Sequence, residues 1–296
     1  MRILLTSGTG YIGAAVAEAL VTAGHTVRAL ARSDESKRKL EAAGIEAVQG
    51  DIKNPETVAS AGTSCDAIVH TAFVYGAETA QTEDSLSHHL TEKLAGSKKK
   101  IIYTSGVWVY GPCGDLPLTE AAPVVPLPLV AWRPAIEQVY LNAAKNGLHS
   151  IVLRPGMVYG GGSRGILGEM IQSARKNNVV KYVGTGTNHW SLIHVDDLAR
   201  LYLAALEKAP AGSVYNCSAG TPMSVHDIAI TCSEIVGIPG KVQSWPVEDA
   251  RKVLGAYADA LATNVIISSA KAQKELCWKP LEAELANAYA VVSANR

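Results

Sequence analysis

Three glycines near the start of the chain have the spacing of a dinucleotide-binding turn. Gly8, Gly10 and Gly13 follow a short apolar run and stand at the start of a helical pattern. A turn between a strand and a helix points backbone N–H groups and the positive end of the helix at a phosphate. The tight turn and the close approach of a pyrophosphate both exclude a Cβ atom. Because the three glycines lie within a strand–helix–strand unit, the sequence predicts a dinucleotide site here.

The end of the second predicted strand indicates which dinucleotide is bound. Enzymes that use NAD usually carry a carboxylate there, which holds the ribose hydroxyls. This chain has Ala31-Arg32-Ser33 instead, and no carboxylate occurs before Asp34. The guanidinium of Arg32 offers two parallel N–H donors to a phosphate dianion. We therefore predict NADP(H) rather than NAD(H), with a solvated surface charge as the alternative role of Arg32.

Asp51 and Ile52 follow the third predicted strand. Asp51 has the position and the chemistry to accept a hydrogen bond from the adenine amino group, and Ile52 can pack on the adenine ring. The alternative is that the carboxylate of Asp51 caps the helix that follows. The sequence leaves both roles of Asp51 open.

A regular alternation of strands and helices must position these residues. Apolar runs alternate with helical patterns in the first half of the chain, which is typical of a parallel sheet covered on both faces. The predicted class is α/β, a Rossmann-type doubly wound parallel sheet with a smaller C-terminal substrate lobe. The predicted elements of this half are strands at 3–6, 26–31, 45–49, 67–70, 101–104 and 150–154 and helices at 11–23, 34–43, 55–61, 78–95 and 131–146.

The chain is predicted to divide after residue 155. Residues 1–155 form the dinucleotide-binding Rossmann domain, a later segment at about 188–217 packs back on it, and 156–296 is mainly the substrate-binding lobe. The segment 111–128 is rich in proline and glycine and lacks a periodic pattern, so it is predicted to be a lid-like loop. A last helix is predicted at 281–294.

Six segments occur in an order and at a spacing that identify a family. They are Thr6–Gly13, Gly50-Asp51-Ile52, Val69-His70-Thr71-Ala72, Val109-Tyr110-Gly111, Arg154-Pro155-Gly156-Met157-Val158-Tyr159-Gly160 and His194-Val195-Asp196-Asp197-Leu198-Ala199. Together they resemble the extended short-chain dehydrogenase/reductase family, of the NAD(P)-dependent epimerase/dehydratase type. The resemblance covers roughly residues 1–280, and Ser7 stands where the family's pattern has a glycine.

The resemblance implies a Rossmann fold and an NAD(P) cofactor, with contacts beyond the glycines, Arg32 and Asp51. Arg133 stands at the position of the family's lysine and can keep the contact to the nicotinamide ribose. The other implied cofactor contacts are Thr9, Tyr11, Ile12, Thr71, Ala72, Phe73, Pro155, Gly156, Met157 and Val158.

The resemblance also implies a catalytic trio, and here the chain departs from the family. Gly106 occupies the position of the family's serine or threonine, three residues before the valine of Val-Tyr-Gly. Leu129 and Arg133 occupy the two positions of Tyr-x-x-x-Lys, a pattern that the chain contains nowhere. Arginine cannot exchange protons near neutral pH, and leucine has no exchangeable proton. The usual acid/base pair for carbonyl–alcohol chemistry is therefore missing.

Other groups can replace this pair as the proton donor. Ser105 is the hydroxyl nearest to the lost serine or threonine position. Tyr110 and Tyr159 belong to segments that the family keeps for backbone and packing reasons as well. Tyr75 and His194 are further candidates, although His194 stands at a helix start. We predict Ser105, Tyr110 and Tyr159 as the catalytic candidates.

Aromatic residues near the expected cleft favour a small apolar substrate over a nucleotide sugar. The predicted substrate contacts are Tyr75, Trp108, Tyr159 and Trp190, with packing in the core as the alternative. A nucleotide sugar requires cations that clamp its diphosphate. For that purpose the chain offers only Arg164 and Lys181.

Three functions follow from these observations. The favoured one is an NADP(H)-dependent oxidoreductase that reduces or isomerises a small, largely apolar carbonyl, enone or iminium compound without the Tyr/Lys pair. Hydride delivery to an enone or iminium requires orientation more than a strong acid. The alternatives are a non-catalytic NADP(H)-binding redox sensor and a nucleotide-sugar epimerase or dehydratase.

Composition narrows the partners and the location. The chain has 27 basic and 27 acidic residues, which argues against nucleic acid or an anionic membrane as the partner. Its five cysteines lie far apart and include no Cys-x-x-Cys, so reduced thiols in a cytoplasmic protein are predicted. We predict no metal site. By the resemblance, the helices at 78–95 and 131–146 are compatible with a homodimer.

Overall fold

A parallel sheet of seven strands forms the centre of the protein. The structure is a computed structural model, and it describes residues 1–162, 164–281, Leu285 and Tyr289. The strands are β1 Arg2–Leu5, β2 Thr26–Ala31, β3 Glu46–Gln49, β4 Ala67–His70, β5 Lys100–Thr104, β6 His149–Pro155, β7 Met157–Tyr159, β8 Val180–Val183, β9 His189–His194, β10 Ser213–Cys217, β11 Ala219–Ser224 and β12 Val242–Trp245. The helices are α1 Tyr11–Thr22, α2 Asp34–Ala42, α3 Pro55–Thr63, α4 Thr79–Lys93, α5 Arg133–Ala143, α6 Gly165–Asn177, α7 Val195–Lys208, α8 Val225–Ile235, α9 Val247–Leu254, α10 Ala256–Leu261 and α11 Ala270–Leu276. The strand order β10-β6-β5-β4-β1-β2-β3 confirms the predicted α/β class with a Rossmann-type sheet.

The side chains of β1 show why helices cover both faces of this sheet. Ile3 and Leu5 lie on one face, where they pack with Leu20 of α1. Leu4 lies on the other face, in a core that includes Leu86 of α4. Successive side chains of a strand point to opposite faces, so an apolar run needs cover on both sides. The carboxyl ends of the strands then form the edge where ligands bind in such sheets.

The chain beyond β6 builds two smaller sheets and also returns to the large one. β7, β9 and β11 form a three-stranded sheet, and β8 pairs with β12. β10 pairs with β6 in the large sheet. The sequence did not indicate β9, β11, β12, α9, α10 or α11, because short elements give a weak periodic signal. The division at residue 155, with 188–217 packing back, stays a prediction.

The segment 111–128 forms the predicted irregular loop, and two backbone hydrogen bonds tie its first part to a distant segment of the chain. The backbone N–H of Leu118 donates to the carbonyl of Ile266 at 2.8 Å. The backbone N–H of Cys113 donates to the carbonyl of Asn264 at 3.0 Å. Proline and glycine exclude a regular helix, but they do not reveal that a distant segment supplies the hydrogen bonds.

The helices near the site begin and end close to the predicted limits. α4 spans Thr79–Lys93, and α5 begins at Arg133 with a proline in its first turn. The helix predicted at 281–294 falls mostly outside the described residues. Within the described ranges, no helix is both long and apolar enough to cross a bilayer.

Candidate cofactor and substrate site

The glycine turn between β1 and α1 leaves no room for side chains. A Cβ atom at Gly13 would lie 1.6 Å from the carbonyl oxygen of Ser7, and one at Gly10 would lie 2.4 Å from Ser7 Oγ. A Cβ atom at Gly8 would lie 2.6 Å from the Cβ atom of Ala29. Gly10 is the N-cap of α1, and no described side chain caps this helix. The first N–H groups of α1 are therefore available to a phosphate.

Thr6 ties this turn to the end of β4. Its Oγ1 accepts hydrogen bonds from the backbone N–H groups of Thr71 and Ala72, at 3.1 and 3.0 Å. His70 Nδ1 lies 2.9 Å from the same oxygen, and His70 Nε2 lies 3.0 Å from Glu83 Oε2. Since two N–H groups already donate to Thr6 Oγ1, its own proton goes to His70 Nδ1, and Nε2 donates to Glu83. This buried chain of bonds holds Thr71 and Ala72 beside the glycine turn.

Tyr11 links the turn to the residue that follows β7. Its hydroxyl donates to the carbonyl of Gly160 at 2.9 Å, and burial raises the pKa of Tyr11 far above its ordinary value. Ile12 packs against the main core. The carbonyl of Thr9 accepts a long hydrogen bond from Arg164 at 3.5 Å. Tyr11 therefore ties α1 to the end of β7, and its hydroxyl is already engaged.

Arg32 and Asp51 follow the neighbouring strands β2 and β3. Arg32 is exposed, and among the described residues its side chain makes no hydrogen bond or ion pair. Asp51 accepts a hydrogen bond from the backbone N–H of Lys53 at 3.0 Å. Asn54 caps α3 by accepting from the backbone N–H of Thr57 at 3.3 Å. The alternative role of Asp51 as the helix cap is therefore wrong.

Several residues predicted to contact the cofactor have buried side chains. Ile52 is 4% exposed and belongs to the core beside α3, so the prediction that its side chain covers adenine is wrong. Met157 packs in a second hydrophobic core, and Val158 packs against the main core. A Cβ atom at Gly156 would lie 2.3 Å from a backbone carbonyl of β9, so chain packing explains this glycine. Pro155 is buried at the end of β6.

Arg133 begins α5 and sends its guanidinium to the carboxyl end of β5. Its Nη1 donates to the carbonyl of Thr104 at 3.2 Å. The guanidinium carbon lies 5.4 Å from the ring centroid of Phe73 and 5.0 Å from that of Trp132, within cation–π range. A Cβ atom at Gly106 would lie 3.9 Å from Nη1. The guanidinium thus lies beside Gly106, the residue that we predict at the position of the family's serine or threonine.

Ser105 and Tyr110, two predicted proton donors, differ in their surroundings. Ser105 follows β5, and its buried Oγ has no hydrogen-bond partner within the described part of the chain. The hydroxyl of Tyr110 donates to Asn216 Oδ1 at 2.8 Å and accepts from Arg154 Nη1 at 2.7 Å. Burial raises the pKa of Tyr110, although the charge of Arg154 opposes this shift. The prediction of Tyr110 as a proton donor is wrong, because its hydroxyl belongs to a buried structural network.

Tyr159 and Trp190 lie in the second hydrophobic core, together with Met157. Tyr159 is 3% exposed and packs edge-on against His194, with 5.2 Å between the ring centroids. Trp190 is 1% exposed within the same core. His194 is itself the N-cap of α7, accepting from the backbone N–H of Asp196 at 3.3 Å. The predictions that Tyr159 donates a proton and that Tyr159 and Trp190 contact the substrate are wrong, because burial leaves almost no surface for a ligand.

The remaining aromatic candidates come together from distant parts of the chain. The rings of Phe73 and Tyr75 lie 4.9 Å apart and are exposed. Trp108 meets Tyr257 of α10 edge-on at 5.9 Å. Burial raises the pKa of Tyr257, and the nearby Glu169 and Tyr75 add to this shift. Sequence reasoning missed Tyr257, because it lies in a short helix outside every motif and only the fold brings it to Trp108.

The carboxyl edge of β1, β4 and β5 fits a dinucleotide. Three buried polar atoms there lack a hydrogen-bond partner in the described chain, namely Thr71 Oγ1, Ser105 Oγ and Arg133 Nε. Thr71 Oγ1 lies 2.9 Å from the Cβ position at Gly13, and therefore at the glycine turn. Buried polar groups in native proteins are nearly always hydrogen-bonded. A polar ligand at this edge would give these atoms partners, next to a turn shaped for a pyrophosphate.

Known proteins share both the sequence pattern and the fold. A protein of Schizosaccharomyces pombe described as uncharacterised is 32% identical over 295 residues, covering 96% of this chain and 97% of that protein. The 4-hydroxy-2-methyl-3-oxo-4-farnesyl-3,4-dihydroquinoline-1-oxide ketoreductase of Stigmatella aurantiaca is 28% identical over 263 residues, covering 85% and 78%. The crystal structure of a dTDP-glucose 4,6-dehydratase from Streptomyces venezuelae, with NAD bound, superposes with a TM-score of 0.85 at 20% identity, covering 100% of this chain and 98% of that one. This last likeness concerns the fold.

The family assignment follows from the sequence match. The pattern of the NAD dependent epimerase/dehydratase family matches residues 3–218, which include the glycine turn and every strand of the large sheet. Members of this family and the relatives with named activities are oxidoreductases and epimerases. The chain is therefore an enzyme of the extended short-chain dehydrogenase/reductase type, and it belongs to the NAD dependent epimerase/dehydratase family.

Proposed function

We propose that this enzyme uses NADP(H) to reduce or isomerise a small, largely apolar carbonyl, enone or iminium compound without a Tyr/Lys pair. The observation that carries the cofactor choice is the exposed guanidinium of Arg32 directly after β2. NAD enzymes of this fold place a carboxylate there. When bound, the cofactor supplies or accepts a hydride.

The chain's own residues hold the two ends of this cofactor. Arg32 pairs with the 2′-phosphate, Asp51 accepts from the adenine amino group, and the first N–H groups of α1 bind the pyrophosphate. At the other end, the unpartnered Oγ of Ser105 can donate a hydrogen bond to a substrate oxygen. A conjugated substrate requires orientation more than strong acid, so a hydroxyl of ordinary acidity suffices.

The aromatic cleft supports an apolar substrate better than a nucleotide sugar. Phe73 and Tyr75 expose ring surface, and Trp108 and Tyr257 pack beside each other. Arg164 lies at the glycine turn, where its Nη1 donates a long hydrogen bond to the carbonyl of Thr9, so we assign it to the cofactor side of the site. The name of the Stigmatella relative, a ketoreductase for a farnesylated ring compound, supports the same substrate class.

Turnover with NADPH tests the proposed activity. We expect at least one compound in a panel of apolar ketones, enones and iminiums to be reduced together with oxidation of NADPH, measured by the absorbance of the nicotinamide band, or to be isomerised without net change of the cofactor, measured by chromatography of the compound. Nucleotide sugars serve as the comparison panel. Tight NADPH binding without turnover of any compound would contradict the proposal and favour the redox sensor.

Replacing Arg32 with alanine is expected to weaken NADPH binding by about 10–100-fold, because charge-assisted hydrogen bonds contribute about 1.5–3 kcal/mol. NADH binding should change by less than about twofold. Fluorescence titration with each cofactor measures both affinities. Arg38→Ala, which removes an exposed arginine of α2, is the matched control and should leave both affinities unchanged. Equal affinity of the unsubstituted enzyme for NADPH and NADH would contradict the assignment.

Together with this function we propose the domain division, the oligomeric state and the location that the sequence predicts. They are a cofactor domain at 1–155 with a substrate lobe at 156–296, a homodimer through α4 and α5, and a cytoplasmic location. The packing of α4 and α5 on the same face of the sheet supports the second, because it places the two helices side by side.

A further inference from the structure

We propose that Arg133 binds a carboxylate of the substrate, so that this enzyme acts on small apolar carboxylic acids. This inference deepens the proposed function and rests on it. It starts from the orientation of the guanidinium, which three neighbours hold. Nη1 is bonded to the carbonyl of Thr104, and the rings of Phe73 and Trp132 lie 5.4 and 5.0 Å from the guanidinium carbon.

The edge of the guanidinium formed by Nε and Nη2 remains without a partner. Nε is buried, and neither nitrogen has a hydrogen bond to any described residue. Arg154 shows what this edge binds elsewhere in the same chain. Its Nε donates to Glu137 Oε1 at 2.9 Å, and its Nη2 donates to Glu137 Oε2. The planar fork of arginine matches the two oxygens of a carboxylate in this way.

The charge of Arg133 also lacks a counterion in the protein. No described carboxylate forms an ion pair with Arg133, whereas Arg154 pairs with Glu137 and Arg200 with Asp197. Aromatic faces stabilise a cation only modestly. A ribose hydroxyl is neutral and would use one donor, so the full fork and the charge point to an anionic ligand.

Gly106 leaves space next to this fork. Its φ of 176° is extended backbone that any residue adopts. A Cβ atom there would meet only Arg133 Nη1, at 3.9 Å, so packing does not require glycine. The missing side chain therefore makes room for a ligand. Because the neighbouring rings of Phe73 and Tyr75 are exposed, the rest of that ligand is apolar.

Calorimetric titration with trans-cinnamate and its neutral amide tests this site. Both are flat, apolar and conjugated, and only cinnamate carries the charge. In the presence of saturating NADP⁺, we expect the full chain to bind cinnamate about 10–100-fold more tightly than cinnamamide. Arg133→Met should bind the two compounds equally, and Arg133→Lys should keep part of the preference.

Gly106→Ala is the second variant, in case Arg133→Met unfolds. The added methyl group fits the protein, so the melting temperature should stay within about 2 °C, while cinnamate binding should weaken about tenfold. Equal binding of cinnamate and cinnamamide by the unsubstituted enzyme would overturn the inference. So would an Arg133→Met enzyme that keeps the preference, or one that loses only NADP⁺ affinity. Failure of the NADP(H) proposal appears separately, as equal affinity for NADPH and NADH, and the titration is then run with NAD⁺.

Discussion

Replacing Glu137 with alanine is expected to lower the free energy of unfolding by about 3–5 kcal/mol. Glu137 is 1% exposed and Arg154 is 4% exposed. Burial acts to lower the pKa of Arg154, but the hydrogen bonds and charge of Glu137 outweigh it and raise the pKa above its ordinary value. Alanine would leave a guanidinium uncompensated inside the protein. Tyr110 and Asn216 belong to the same network, so the loss should also loosen the segment 111–128.

Denaturant unfolding followed by circular dichroism measures this loss. Asp259→Ala is the matched control, because it removes a carboxylate from an exposed pair with Arg251. Exposed pairs contribute less than about 1 kcal/mol, so the control should change stability little. A Glu137→Ala enzyme as stable as the Asp259→Ala enzyme would contradict the structural role of the buried pair.

Replacing Gly13 with alanine is expected to weaken NADPH binding by at least about 100-fold, which corresponds to about 2.7 kcal/mol. The new Cβ atom would lie 1.6 Å from the carbonyl oxygen of Ser7, so the backbone of the turn must move. That movement displaces the N–H groups that receive the pyrophosphate. Fluorescence titration with NADPH measures the affinity, and circular dichroism checks that the variant folds.

Gly10→Ala is the informative comparison, because its clash has a different origin. The Cβ atom at Gly10 meets the side-chain oxygen of Ser7, at 2.4 Å, rather than its backbone. Ser7→Gly should therefore restore NADPH binding to the Gly10→Ala enzyme and fail to restore it to the Gly13→Ala enzyme. Rescue of both enzymes by Ser7→Gly would show that the turn does not depend on the backbone contact at Gly13.

The residues that we propose for the cofactor depend mainly on local sequence. The turn at Gly8–Gly13, the basic residue after β2 and the acid after β3 all lie within a few residues of a strand end. In a parallel sheet those ends share one edge, so the order of elements already brings the residues together. The exception is Ile52, whose burial beside α3 could not be distinguished from a ligand contact.

The catalytic and substrate residues were predicted less well, because the role of a hydroxyl group or ring depends on its neighbours in the folded protein. The sequence predicts Tyr110 as a proton donor, but its hydroxyl is hydrogen-bonded to Asn216 and Arg154. The sequence predicts Trp190 as a substrate contact, but its side chain is buried in the core. Tyr257 carried no local signal at all. In each case the deciding neighbour comes from a distant part of the chain.

The sequence by itself determined the α/β class, the family and the glycine turn, and it predicts the loss of the Tyr/Lys pair. Those features depend on periodicity and on steric demands between residues close in the chain. Only the tertiary structure decided which buried polar groups have a hydrogen-bond partner within the described chain and which have none. Whether a polar group has a partner depends on contacts such as those of Arg133 with Phe73 and Thr104. These contacts arise when the ends of separate strands meet at one edge of the sheet. The residue types at Gly106 and Arg133 predict that the family's usual proton donor is missing. The geometry of the same two residues supports the carboxylate site that we propose.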